Sequence, residues 1–493
     1  MTRDLVIVGG GVAGLTAGVY AARSGYRVTL LEMHALPGGL CTSWRRKGYL
    51  FDGSVAGLAG TGPSAPVHRL WQDLGVIGRC DLYDPLDFGA VAAPGGGAVT
   101  IYTEIDRLEA ELLTWFPREA TVVSDFARAL RECRRLEIPF QTGEGRESVR
   151  EGARSAAASL RSVPVALKYG RITLREYTRR IRDPFCHQVF GNLVHFGGPD
   201  VPLLTVLLPL AYADRRLTGI PRHGWLDFAR SIERRFRESG GEIRYLSRVT
   251  GLRTDAGRVT GVVLEDGDVV PAGRVLSAAD GHFTRTVLLG EPDDGRFALY
   301  RLSDQPVQVN LGVDEVWDGP ALTYLLPARP TVAGRRQSRI TVHDKHHDPL
   351  AAPEGKSALT VFLESDYPFW KAIADDGPEC EAEKRRCAEL VIEEVQKRRP
   401  GFASRVEVVD VATPLTRERF TGNRMGAMQA RRPDPSVAKA LLRGGPRYDH
   451  PGLDGFWMAG QWVESWGGIT TAALSGRQAI RAMCYRDGVR FAP

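Results

Sequence analysis

The stretch Asp4–His34, DLVIVGGGVAGLTAGVYAARSGYRVTLLEMH, decides the fold. The apolar run Leu5–Val8 reads as a buried strand, and glycines follow at positions 9, 11 and 14. A small-residue helix runs to Ser24, and a second strand ends in Glu32. Strand, glycine turn, helix, strand and terminal acid in this order form the dinucleotide-binding fingerprint. Gly9 allows the tight turn, Gly11 lets a pyrophosphate approach the backbone, and Gly14 lets helix and strand pack closely. The helix N-terminus then faces the phosphates. Glu32 can accept both hydroxyls of a ribose and leaves no room for a 2′-phosphate, so the ligand is FAD or NAD rather than NADP.

The rest of the chain bounds this reading. It has 493 residues, 43% hydrophobic and 25% charged, with 55 Gly and 30 Pro, an ordinary globular composition for two or three domains. No second G-x-G-x-x-G occurs: PGGGAV at Pro94 reads as a loop and GEGRES at Gly143 as part of a polar helix. The seven cysteines are scattered without a C-x-x-C pair, which indicates neither a disulfide framework nor a zinc site. The run DLVIVGGG is too short for a signal peptide, so a cytoplasmic enzyme is the expectation. The apolar run Val201–Ala213, broken by Pro202 and Pro209, falls short of a membrane span and reads as a buried or interfacial helix.

Net charge is +6. Part of the excess lies in two rows at helical spacing, Arg146, Arg150, Arg154 and Arg171, Arg175, Arg179. These rows fit a solvated helix face or, alternatively, a peripheral contact with anionic lipid. No aromatic interleaving accompanies them, which argues against nucleic acid as a partner.

A second glycine pair follows the acid in LPGGLCTSW, Leu36–Trp44, and a short strand continues in GYLFDGS, Gly48–Ser54. Near the other end lies GQWVESWGGITTAALSGR, Gly460–Arg477, a glycine turn leading into a small-residue helix. With GGEIRYLSRVTGL and TPLTRERFTGN, these stretches resemble the amine oxidase flavoprotein superfamily. They are most similar to its branch of phytoene desaturases, carotenoid isomerases and retinol saturases. The resemblance implies an α/β protein with a Rossmann-like FAD-binding domain of the glutathione reductase-2 type, assembled from residues 1–75, 220–285 and 450–493. A mixed α+β substrate or cap domain, residues 76–219 and 286–449, would cover the flavin.

Carried over residue by residue, the resemblance places Gly38 and Gly39 near the FAD phosphates, with Ser43 of the same stretch also cofactor-binding. Val249 would touch adenine through its backbone. Gly460 and Gln461 would lie beside the ribityl chain and pyrophosphate, and the helix starting at Gly468 and Ile469 would aim its N-terminus at the flavin. A helix N-terminus carries about half a positive charge and suits an electron-rich ring. The family's arginine after the glycine pair is Leu40 here, and its aspartate after the last strand is Gln461.

The implied activity is desaturation, saturation or isomerisation of a C–C or C=C bond in an apolar polyene or isoprenoid-like substrate, by hydride exchange at flavin N5. The electron acceptor, oxygen or quinone, is left open. Glu464, Trp466 and His223 are the candidates for handling a proton or shaping the pocket, with Asp52 beside them; each also has an ordinary structural reading. The histidines of HDKHHD, His343, His346 and His347, read as solvated rather than metal-binding. Two other readings stay open, a flavin amine or secondary-metabolite oxidase and a non-catalytic lipid-binding module of the same fold, like the escort proteins.

Overall fold

A computed structural model describes residues 3–53, 57–136, 163–193, 200–293, 301–302, 305–431, 447–463 and 467–493. Five strands form one parallel sheet: β1 (Asp4–Val8), β2 (Arg27–Leu31), β3 (Glu242–Arg244), β4 (Arg274–Ser277) and β5 (Phe456–Met458). Their order is β3-β2-β1-β4-β5, and every neighbouring pair runs parallel. Parallel strands of this kind are buried on both faces, which explains the unbroken apolar run at the start of the chain. Leu5 and Ile7 face one core with Val28, Leu30 and Trp457. Val6 and Val8 face another, with Val249, Val262 and Phe456.

The first core is closed by three helices, α1 (Val12–Arg23), α2 (Trp225–Glu238) and α3 (Ile469–Asp487). Small residues on α1 and α3 set how near they come. A Cβ on Gly476 would lie 2.3 Å from the Ala13 carbonyl oxygen, and one on Gly18 would lie 2.8 Å from the Phe236 ring. The second core is closed by a three-stranded antiparallel sheet, Val249–Asp255, Arg258–Leu264 and Val269–Pro271, whose hairpins turn at DAG and EDGD.

A second, seven-stranded sheet runs in the order Val406–Ala412, Val307–Val313, Ser357–Leu363, Arg339–His343, Leu322–Leu325, Asp87–Ala92, Ala98–Tyr102. One face buries Val307, Val309, Leu311 and Val361 against the helix Gly377–Gln396. On the other face a Cβ on Gly312 would strike the Tyr49 ring at 2.6 Å, so the hairpin Ser43–Arg46 and Tyr49–Asp52 lies directly on it. Beyond Asp87–Tyr102 a helical layer gathers round Val91, Val99 and Ile101. Its helix Leu203–Asp214 is the apolar run of the sequence, buried at eight positions with Pro209 inside it. No helix among the described residues is long and apolar enough to cross a membrane.

Arg146, Arg150 and Arg154 lie outside the described residues. Of the second row, Arg175 holds Asp200 at 2.7 Å in an exposed ion pair, which favours the solvated-face reading for that residue.

The close approach of α1 and α3 yields a test. Replacing glycine inside a helix ordinarily gains about 1 kcal/mol, but Gly476→Val must push α3 off the Ala13 carbonyl. Urea unfolding should show a net loss of about 1–3 kcal/mol, and a gain would mean that the contact does not constrain the helices.

Candidate functional site

The carboxyl ends of β1, β2, β4 and β5 converge on the glycine turns. Gly9 (φ +102°) donates its N–H to the Leu31 carbonyl at 2.8 Å and brings α1 up beside β2. A Cβ on Gly14 would lie 2.0 Å from the Gly9 oxygen, whereas one on Gly11 would meet nothing within 4 Å. Gly14 therefore serves the strand–helix contact, and Gly11 keeps a surface free at the helix N-terminus.

Glu32 is buried, and its carboxylate accepts the N–H of Gly10 at 2.6 Å and of His34 at 2.8 Å. Burial raises its pKa against the lowering pull of these donors and of Arg248. Its carbonyl accepts the Ser247 N–H at 2.9 Å, which sets Val249, two residues on, at the same end of the sheet.

The paired glycines close over this turn. Gly38 (φ +105°) donates to the Gly10 carbonyl at 2.8 Å, and a Cβ on Gly39 (φ +61°) would lie 3.6 Å from the Gly11 Cα. From the far end of the chain, Gly460 (φ +107°) arrives after β5 and donates to the Ser475 hydroxyl at 2.7 Å. A Cβ on Gly460 would be 4.0 Å from that of Ala13. Gln461 follows in this turn, and Trp462 packs on Gly281. Gly468 (φ +117°) opens α3 at Ile469, and Thr470 donates to the Ala59 carbonyl at 2.9 Å. The two terminal segments thus meet at one edge. Glu464 and Trp466 lie outside the described residues.

Ser43 and Asp52 are engaged elsewhere. Helix α2 begins on Gly224 (φ +89°), which supplies no capping side chain. Asp52 Oδ1 accepts the Trp225 N–H at 3.1 Å and the Ser43 hydroxyl at 2.5 Å, and Ser43 Oγ accepts the Leu226 N–H at 3.0 Å. The cap is supplied in trans by the hairpin. Asp52 Oδ2 pairs with Lys345, the carboxylate buried and the lysine largely so, and the Asp52 carbonyl accepts Gln308 Nε2 at 2.7 Å.

His223 stands in a strained turn (φ +65°) and donates its backbone N–H to Asp348 at 2.9 Å. That placement belongs to a strap, residues 344–351, which also offers the Ala351 carbonyl to Leu50 N–H at 2.7 Å. The reading of solvated histidines needs correction at His347. Its ring stacks on Tyr83 at 5.1 Å, and burial, with the Lys345 charge second, lowers its pKa to about 4. The polar letters of HDKHHD hid this, because the stacking partner, Tyr83, is not local in sequence.

Comparison with known proteins agrees with this geometry. Residues 7–74 match the NAD(P)-binding Rossmann-like domain family. The chloroplastic prolycopene isomerase of Arabidopsis thaliana is 23% identical over 96% of this chain and 81% of its own length. The all-trans-zeta-carotene desaturase of Myxococcus xanthus is 27% identical over 73% of this chain and 72% of its own length. In sequence the chain is similar to carotenoid isomerases and desaturases along most of its length. Solved structures agree in fold. An oxidoreductase from Methanosarcina mazei matches with a TM-score of 0.58 at 17% identity, over 97% of this chain and 99% of that one. A putrescine oxidase solved with putrescine bound matches with 0.60 at 14% identity, over 99% and 100%.

Two outcomes follow for the strap. Lys345→Met leaves the Asp52 carboxylate buried without its counter-charge and should cost roughly 3–5 kcal/mol in urea unfolding. Adding Asp52→Asn should recover much of the loss, and no recovery would mean that the pair is not coupled. His347, neutral in the fold and protonated more readily when unfolded, makes stability fall as pH drops from about 6.5 towards 4. The His347→Phe protein should lose less stability across that window, and an identical slope would exclude His347 as its source.

Proposed function

We propose that the chain is an FAD-dependent oxidoreductase that acts on a C–C or C=C bond of an apolar polyene or isoprenoid-like substrate. The observation that carries the reading is the meeting of Gly11, Gly39, Gly460 and Glu32 at the N-terminus of α1. Of the fingerprint glycines 9, 11 and 14, Gly11 is the one whose missing side chain serves no neighbour among the described residues, which fits a group that must approach the backbone closely. The N–H groups of the first turn of α1 suit a pyrophosphate, and the Glu32 carboxylate suits ribose hydroxyls. The N-terminus of α3, opened by Gly468, suits the electron-rich side of a flavin.

Bound FAD would supply hydride exchange with a carbon centre. This chain's own residues would hold and orient it, and the apolar helical layer with the second sheet would exclude water from an extended substrate. The relatives named for prolycopene and zeta-carotene support a polyene, since the isomerase likeness runs along nearly the whole chain. The likeness to an amine oxidase is one of fold.

The test is an absorbance spectrum of the purified protein and of the Gly11→Val variant. The wild type should carry flavin bands near ~450 nm that bleach on anaerobic reduction and return with a polyene oxidant. Gly11→Val should unfold like the wild-type apoprotein yet come out colourless, since its side chain fills the approach to the helix rather than the protein core. A colourless wild type that FAD cannot reconstitute would favour the lipid-binding module instead.

A further inference from the structure

The helix Pro414–Thr421 and the turn after it cross from the second sheet to the crest of the parallel sheet. Phe420 meets the His34 ring edge-on at 5.0 Å, just past the end of β2. The Arg424 N–H donates to Asp280, just past the end of β4, at 3.0 Å. The Met425 N–H donates to Glu418 at 2.9 Å. Met425 (φ +57°) and Gly426 (φ +62°) are both left-handed, and a Cβ on Gly426 would lie 2.0 Å from the Pro414 oxygen. The turn is tied down at the edge where the dinucleotide cradle opens.

Arg417 sits beneath this turn. It is 7% exposed, its Nε donates to the Gly426 carbonyl at 3.1 Å, and its Nη2 donates to the Pro306 carbonyl. Its Nη1 is buried without a hydrogen-bond partner. The neighbouring carboxylate, Glu418, is engaged with the Tyr367 hydroxyl at 2.6 Å and with Met425. No acidic group pairs with Arg417 among the described residues. Burial alone lowers its pKa, to about 10, which still leaves it charged at neutral pH.

Two carbonyl dipoles do not neutralise a full charge, and a buried unpaired charge is costly enough to be rare. The planar guanidinium suits an oxyanion, to which it can present several N–H groups at once.

Resting on the FAD and polyene reading above, we propose that Arg417 is an oxyanion-recognition residue of the cofactor–substrate cleft. It binds a carboxylate or phosphate oxygen of a molecule held at the carboxyl ends of the parallel strands. The oxyanion has two sources, a carboxylate on the polyene or the diphosphate of the cofactor.

Two measurements on holoprotein and reconstituted apoprotein separate them. The first titrates the bound flavin's absorbance with all-trans-retinoate and all-trans-retinol. The second measures FAD affinity by fluorescence quenching in wild type, Arg417→Met and Arg417→Lys. If the substrate supplies the oxyanion, retinoate binds about tenfold or more tightly than retinol, and Arg417→Met abolishes the preference while keeping FAD affinity. If the cofactor supplies it, the wild type shows no preference and Arg417→Met weakens FAD about tenfold or more. No preference together with unchanged FAD affinity overturns the proposal.

Should Arg417→Met fail to fold, the wild type still decides the substrate arm. Arg417→Lys, which keeps the charge and loses the planar fork, decides the cofactor arm. If neither lipid perturbs the flavin, retinoids are excluded as substrates, and the FAD arm alone settles Arg417.

Discussion

Three layers of this protein are keyed to one carboxylate. Helix α2 starts on a glycine that offers no cap, and its first N–H groups are satisfied only because the hairpin delivers Asp52 and Ser43 to them. The same carboxylate takes Lys345 from the strap beyond the second sheet, while the Asp52 backbone takes Gln308 from the sheet itself. Burying the charge is costly, and the cost is offset by the ammonium, the hydroxyl and the partial positive charge at the helix end. Because α2 also seats the paired-glycine turn, with a Cβ on Gly38 only 2.7 Å from that of Ala229, the cradle's geometry passes through this contact.

The parallel sheet and the helix after it were legible because their signals are local. A strand buried on both faces reads as an apolar run, and a tight strand–helix turn admits few residues but glycine. Asp52 drew notice by standing after a strand, but its role did not, because Lys345 lies 293 positions away. His347 was misjudged through its polar neighbours, and Arg417 is one more charge in a charged run. Burial created by tertiary packing decides all three, and no window of ten residues contains it.

The glycines carry a related lesson. Gly11 and Gly14 belong to one motif and look equivalent on paper, yet one is required by the Gly9 carbonyl and the other by no neighbour among the described residues. The same division holds at the far end, where Gly476 is required by Ala13 and Gly460 has only distant neighbours. The residues that build the fold and those that leave space for a ligand alternate along the same turns. A substitution's effect on folding and its effect on binding can therefore be separated one position at a time.

The order of the segments has a consequence for biosynthesis. The fingerprint is translated before the segments that complete it: among the described residues the face of α1 around Ala13 packs on α3 and the Gly460 turn, and the outer edge of β4 is paired by β5. Until the ribosome has passed residue 476, the nascent chain presents an unfinished sheet and a bare helix face. The glycine turns at the crest of the sheet therefore reach their final arrangement only when the last segment docks.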